Sequence, residues 1–501
     1  MFINIFKFEI RYWLTNPAYY FYLVFFFLLG TGAMAGAAGL LGEGSSSVRI
    51  ANSPMSLFSF VMFFGKLMLF LLPVIAGASV YRDHKSGAYS LLYSYPFTKS
   101  EYLSAKFLSS FLAINIIAVV FLLSLLLAAM LPGIPAGRTL PPDIAVYSRL
   151  YFVFLLPDLL LFSTLVFAVV ALSKNIYAGF VTIVVLFLIR ESVARLAGSA
   201  EAGYFSLLVE PFGEAAVNYF TRNNTISQNE TLSLPFNNII LLNRVLWLGV
   251  TASLMTMLCR LFSFEGSVFK RNPKKIYSTS KQAISAGRIV KLQLPKINTE
   301  FGIWGNVKTA WYLSNADLKY IVKNGPFISI VVTGIIFISV ILMQANPQTG
   351  TKILPVTWSI LGLPVFFFSM LIIVVTFLYA GVLINRSKTY RVDSFIDSSP
   401  VPDYVLLFSK FIALVKMQAV LLLVVMVSGI GFQVYSGYYR FEFGQYVFAL
   451  FVLHLSGFII WAFAALFMQT LFKNSYIGLF LLILAAIGIS NLPYVGIEKI
   501  L

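Results

Sequence analysis

Eleven apolar runs divide this chain, each long or nearly long enough to cross a bilayer. They are Tyr19–Leu41, Leu57–Val80, Phe107–Leu131, Leu150–Leu172, Ile176–Ile189, Asn238–Phe262, Phe327–Met343, Thr357–Ile384, Phe411–Val434, Val447–Leu471 and Tyr476–Ile489. A helix needs about 20 apolar residues to span, because backbone polar groups must be satisfied internally once water is absent. The rest of the chain cannot supply a water-facing surface. Only 11% of residues are charged and 59% are hydrophobic, with mean hydropathy +0.87, whereas a soluble domain carries roughly 25% charged residues. The fold class is therefore an all-α polytopic membrane protein.

Residue chemistry removes several functions. A single cysteine, Cys259, excludes an internal disulfide framework and a thiolate metal cluster. The two histidines, His84 and His454, lie in different segments. Neither H-E-x-x-H nor G-x-x-x-x-G-K-[ST] occurs, so no zinc-peptidase or P-loop ATPase motif lies in these residues. The chain is expected not to be an enzyme and to hold no cofactor or metal of its own.

Net charge is +17, from 36 Lys+Arg against 19 Asp+Glu. In a soluble protein this balance would raise nucleic acid as a partner. In a membrane protein it predicts basic cytoplasmic loops. With the N-terminus inside, span parity places 81–106, 173–175, 263–326, 385–410 and 472–475 on the cytoplasmic side. Between Ser263 and Pro326 there are eleven Lys/Arg against Glu265, Glu300 and Asp317. The segment 190–237, on the other side, carries Glu191, Glu201, Glu210, Glu214 and Glu230 against Arg190, Arg195 and Arg222. Parity and charge agree on a cytoplasmic N-terminus. Lys7, Arg11 and an apolar run before Ala33-Met34-Ala35 imitate a signal peptide, but the run exceeds the usual 7–15 residues. Asn223-Asn-Thr225 and Asn229-Glu-Thr231 match a glycosylation triplet, a match too short to weigh.

The chain also repeats itself. At an offset of 304, positions 76–107 share nine identities with 380–411, among them Arg82 with Arg386, Pro96 with Pro400 and Lys106 with Lys410. Leu172-Ser-Lys-Asn-Ile-Tyr-Ala-Gly179 matches Leu471-Phe-Lys-Asn-Ser-Tyr-Ile-Gly478 at 299. Glu9-Ile-Arg-Tyr-Trp-Leu-Thr-Asn16 matches Asp317-Leu-Lys-Tyr-Ile-Val-Lys-Asn324. Six spans precede the basic linker, so both copies begin on one side and the repeat is parallel. The expected organisation is a first membrane half at 1–263, a linker at 264–308 and a second half at 309–501. The expected architecture is two parallel-repeated six-span bundles, each preceded by an interfacial elbow helix. A partner for the sixth span would fall near 540, beyond Leu501, so about 11 spans are expected here and the second half is expected to be truncated.

The repeated pieces are the candidate sites. In the elbows, Phe6, Ile10, Trp13 and Leu14 recur at helical spacing with Lys7 and Arg11 between them, a pattern that lies in the membrane interface. Arg11, Trp13, Lys319 and Tyr320 are the elbow residues singled out. Ordinary juxtamembrane anchoring is the other reading. The inner loops 81–106 and 385–410 each leave a span through an arginine, bend at Ser-x-Pro and end in lysine. Two matched, bent, basic loops point to docking of a partner, against the default of a solvated loop. The docking candidates are Arg82, Asp83, Lys85, Gly87, Pro96, Lys106, Arg386, Lys388, Pro400 and Lys410. Within the spans, Lys66 and Arg190-Glu191 are functional candidates by position, with snorkelling as the alternative. Leu207-Leu-Val-Glu-Pro-Phe-Gly213 is placed to cap the outer opening.

The elbow Phe8-Glu-Ile-Arg-Tyr-Trp-Leu-Thr-Asn-Pro17, followed by Tyr81-Arg-Asp-His-Lys-Ser-Gly87, Tyr93-Ser-Tyr-Pro-Phe-Thr-Lys-Ser-Glu-Tyr102 and Lys106, resembles permeases of the ABC-2 exporter type. Ala51-Asn-Ser-Pro54, Glu210-Pro-Phe-Gly213 and Asn243-Arg-Val-Leu-Trp247 are similar to the membrane half of bacterial permeases fused to an aminopeptidase-N-like zinc peptidase. The resemblance implies a permease subunit of the bacterial inner membrane, with separate ATPase subunits, which bind ATP and Mg, docked on coupling helices of the two cytoplasmic loops. Ser387 and Arg391 stand where the first loop has Asp83 and Gly87, so the two docking sites are expected to differ. The resemblance also implies a rival: a membrane anchor or sensor for a peptidase that follows this segment. An ion-coupled transporter needs carboxylates within the spans, and the sequence pattern shows no chain of them. Nucleic acid is not an expected partner.

Overall fold

The computed structural model describes residues 1–40, 50–86, 95–135, 137–197, 204–263, 302–344, 356–390, 392–398, 401–472 and 475–491. These are helical, with no strand among them. We number the helices α1 (Phe2–Thr15), α2 (Pro17–Ala37), α3 (Pro54–Lys85), α4 (Lys99–Ala128), α5 (Ile144–Ser173), α6 (Ile176–Ala197), α7 (Tyr204–Val209), α8 (Glu214–Thr221), α9 (Ile226–Thr231) and α10 (Asn238–Leu261). They continue with α11 (Ile303–Val322), α12 (Gly325–Gln344), α13 (Thr357–Tyr390), α14 (Asp393–Asp397), α15 (Asp403–Tyr435), α16 (Phe443–Leu471) and α17 (Ser475–Asn491). Among the described residues nine helices are long and apolar enough to cross a membrane. The chain is a multi-pass helical membrane protein.

Each of the eleven apolar runs forms helix, but two fall short of a full span among the described residues: Ile176–Arg190 in α6 and Tyr476–Ala486 in α17. The span ends also shift. Helix α3 runs on through Lys85, so Arg82, Asp83 and Lys85 lie on its last turns rather than in a loop, where cations favour the carbonyl end of the helix dipole. Helix α13 likewise carries Arg386 and continues to Tyr390. Helix α11 begins at Ile303, inside the region assigned to the linker, whose residues 264–301 lie outside the described residues.

Local sequence sets the breaks. Asn16 caps α2 by accepting from the Ala18 amide at 3.1 Å, and Pro17 opens it, so α1 must turn before the first span. Thr98 and Glu101 form a reciprocal capping box at the start of α4. Three spans contain a π turn: Pro73–Gly77 in α3, Leu150–Leu155 in α5 and Phe448–His454 in α16. Pro73 and Pro157 lack the amide that an α ladder requires, and the turn widens beside them.

The first half packs α1 and α2 on α4, with α5 central against α4, α6 and α10. The second packs α11 and α12 on α15, with α16 against α13 and α15. Between the halves, α12 lies along α6, while Phe480 of α17 inserts among Tyr22, Phe25 and Phe26 of α2 at ring separations of 5.6, 5.0 and 6.0 Å. Phe180 of α6 stacks on Tyr476 of α17 at 6.2 Å. Thus α2 meets α17, and α12 meets α6. Phe480 is 2% exposed, and truncating a buried Phe to Ala costs about 3–5 kcal/mol. Phe480→Ala is expected to lower the unfolding midpoint in detergent and to speed tryptic separation of the halves; an unchanged midpoint would show the contact to be loose.

Candidate functional site

Two polar assemblies sit at opposite ends of the first half. One gathers the elbow and the ends of α3 and α4. Glu9 on α1 is 1% exposed and receives two cations: Arg82 Nη2 on Oε2 at 2.5 Å and Lys106 Nζ on Oε1 at 2.7 Å. Lys106 Nζ also lies 2.8 Å from Asp83 Oδ2 and donates to the Ser79 carbonyl at 2.7 Å. The Tyr102 hydroxyl donates to Asp83 Oδ2 at 2.7 Å. The Arg82 guanidinium lies 3.6 Å from the centroid of the Tyr12 ring, close enough for a cation–π contact. Two acids and two bases balance, which is what permits the group to be buried.

A second ion pair joins α11 to α13. Arg386 Nη1 meets Asp317 Oδ1 at 2.5 Å, and its guanidinium lies 4.4 Å from the Tyr320 ring. Burial pushes the Asp317 carboxyl up, against the pull of Arg386 and of Lys410. This junction is more open: the Arg386 and Asp317 side chains are 34% and 15% exposed. At the offset of 304, Ser387 aligns with Asp83 and Leu406 with Tyr102, so those aligned positions offer neither the inner carboxylate nor its tyrosine.

The singled-out residues therefore divide. Arg82, Asp83, Lys106, Arg386 and Trp13 are engaged within the chain, and Lys106 at 3% exposure has no surface to offer a partner. Lys85, Pro96, Arg11 and Lys319 are exposed. Tyr320 is half-buried beneath Arg386, and Lys410 is half-buried. Gly87 and Pro400 lie outside the described residues, as does the side chain of Lys388. Sequence reasoning passed over Glu9, Tyr12 and Asp317 as site residues, although all three stand in the elbow block that repeats.

The second assembly joins α5, α10 and the segment 207–214. Asn243 on α10 donates through Nδ2 to the carbonyls of Leu207, Leu208 and Glu210 at 3.1, 3.0 and 2.8 Å. Trp247 Nε1 donates to the Leu208 carbonyl at 3.2 Å. Arg244 pairs with Asp158 of α5 at 2.7 Å and donates to the carbonyls of Pro211 and Phe212. Gly213 turns the chain with φ +68°, and a Cβ there would strike the Arg244 guanidinium. Beyond it, Glu214 accepts Lys66 at 2.6 Å and Arg190 at 2.5 Å. The segment expected to cap the outer opening is thus pinned to α10 by the two motifs quoted with it, and Lys66 and Arg190 hold its acidic end. Burial pushes the Glu210 carboxyl up, with Arg190 opposing. Asn52 performs a similar clamp nearby, exchanging hydrogen bonds of 2.6 and 2.7 Å with the backbone of Leu140. Among the described residues no cluster of three metal-ligating side chains forms.

Compared with known proteins, the chain matches no family model and no curated protein.

Proposed function

We propose that this chain is the permease subunit of an ATP-driven, exporter-like transporter in the bacterial inner membrane, built of two parallel copies of one bundle with its N-terminus in the cytoplasm. One observation carries the reading: the elbow acid, the elbow tyrosine and the span-ending arginine associate as Glu9–Tyr12–Arg82 in the first half and as Asp317–Tyr320–Arg386 in the second. Sequence offsets of 308, 308 and 304 relate the two sets. The reciprocal packing of α2 with α17 and α12 with α6 supports two equivalent units around a shared path. A separate ATPase, which binds ATP and Mg, docks beneath the ends of α3 and α13. Its closure presses on the exposed Lys85 and Lys99, and the ionic junctions carry that movement into the elbows and spans.

Internal pairing changes which residues test the idea. Reversing Arg82 or Arg386 would break an internal ion pair as well as a docking surface. Lys85 and Lys99 are exposed, so Lys85→Glu with Lys99→Glu leaves the core intact. The tagged chain, solubilised from native membranes, is expected to recover a P-loop ATPase by mass spectrometry, and the double reversal is expected to lose it at unchanged thermal stability. Recovery of no ATPase from folded protein, or full retention by the double variant, would overturn the docking assignment.

A further inference from the structure

A cavity of about 160 Å³ lies between α5, α6 and α10, under the segment 209–212. Its walls are almost wholly apolar, from Phe162 and Leu165 on α5, Phe187 on α6, and Trp247 and Leu254 on α10. Arg190 and Glu210 are the two charged residues among those that line it. Glu210 is 1% exposed. Its Oε2 accepts from the Ala215 amide at 3.3 Å. Its Oε1 accepts no hydrogen bond among the described residues, the Arg190 Nε standing 3.7 Å away. A buried acceptor left unsatisfied costs about 1–3 kcal/mol, so a donor arriving at Oε1 has a specific gain to make. The cavity is also of the size, about 150 Å³ when lined by Leu, Ile and Phe, that stays dry and takes a six-carbon apolar guest.

Charge selects the head of that guest. Among the described residues the surrounding cluster holds Lys66, Arg190 and Arg244 against Asp158, Glu210 and Glu214. Three charges of each sign balance, and an ionic guest would leave one charge uncompensated in an apolar setting. A hydroxyl avoids that, and it can donate to a carboxylate or accept from a carboxylic acid. Access points to the bilayer as the source. Ile189, Leu246 and Leu248, on the spans that border the cavity, are exposed, and α10 is among the least buried of the spans.

We propose that this cavity is a binding site for a neutral, hydroxyl-bearing single-chain amphiphile drawn from the membrane, with its alkyl segment between α5, α6 and α10 and its hydroxyl on Glu210 Oε1. The proposal does not depend on ATPase coupling.

The test uses the full chain in phosphatidylcholine nanodiscs and the photoactivatable alkanol 3-azioctanol as probe. Adducts are expected on Phe162, Phe187 or Trp247. 1-Hexanol is expected to displace the label, while hexylamine and hexanoate at equal concentration do so weakly. Leu254→Trp fills the cavity and is expected to cut labelling about tenfold, the change that corresponds to 1.4 kcal/mol of lost affinity. Leu165→Phe serves if that variant does not fold. Adducts only elsewhere, full labelling of a folded, filled variant, or displacement by a charged analogue at least as well as by hexanol would overturn the proposal.

Discussion

Glu9→Gln is expected to lower stability by about 3–5 kcal/mol, the cost of removing one partner from a buried ionic group, whereas Asp317→Asn costs about 1 kcal/mol or less, as for a partly exposed pair. Each substitution removes one carboxylate that pairs with an arginine, and the difference comes from what surrounds them. Glu9 neutralises both Arg82 and Lys106, and Lys106 has little water within reach. With Glu9 neutral, Arg82 loses its carboxylate and Lys106 keeps only Asp83, whose Oδ2 the Tyr102 hydroxyl already shares. Around Asp317 the Arg386 guanidinium is a third exposed and regains solvent when its partner is lost. Chemical unfolding in detergent, followed by Trp fluorescence, measures both. Equal losses would mean that the two junctions are equally buried in the folded protein. A double variant, Glu9→Gln with Lys106→Met, is expected to recover part of the loss of Glu9→Gln alone, because it removes the second cation together with its acid.

What the sequence disclosed depends on the range of the interaction. Apolar runs are local and long, so each of the eleven was legible as a helix, and the Asn16-Pro17 break was legible as the end of an elbow. The ends of spans were not, because a helix whose last turn is charged looks like a loop when only hydropathy is followed. That is how Arg82 and Asp83 were placed beyond the span they belong to. The motifs Glu210-Pro-Phe-Gly213 and Asn243-Arg-Val-Leu-Trp247 stood out, and the structure brings them into one hydrogen-bonded cap. Asp158, which completes that cap, sits inside an apolar run 86 residues before Arg244 and gave no sign of its partner. Burial is likewise a tertiary property. Lys106 and Lys85 look alike as basic residues of a loop, yet one is an internal strut and the other is exposed.

Arg244→Met is expected to be the most damaging single change at the cap end, costing about 3–5 kcal/mol by leaving Asp158 as an uncompensated buried charge. It also removes the donors to the Pro211 and Phe212 carbonyls, so the segment 207–213 is expected to become open to protease. Asp158→Leu in the same chain removes the stranded charge. The double variant is therefore expected to be more stable than Arg244→Met alone, though not restored, since two carbonyls remain without their donor. Gly213→Ala approaches the same contact from the other side. It places a methyl group against the guanidinium and forces an alanine into left-handed backbone, and it is expected to loosen the cap while leaving the Asp158–Arg244 charges balanced. Limited proteolysis between Tyr204 and Thr221, read beside the global unfolding midpoint, separates the two effects. Arg244→Met should change both, and Gly213→Ala should change chiefly the first. A cap that stayed protected in Arg244→Met would mean that Asn243 alone holds it.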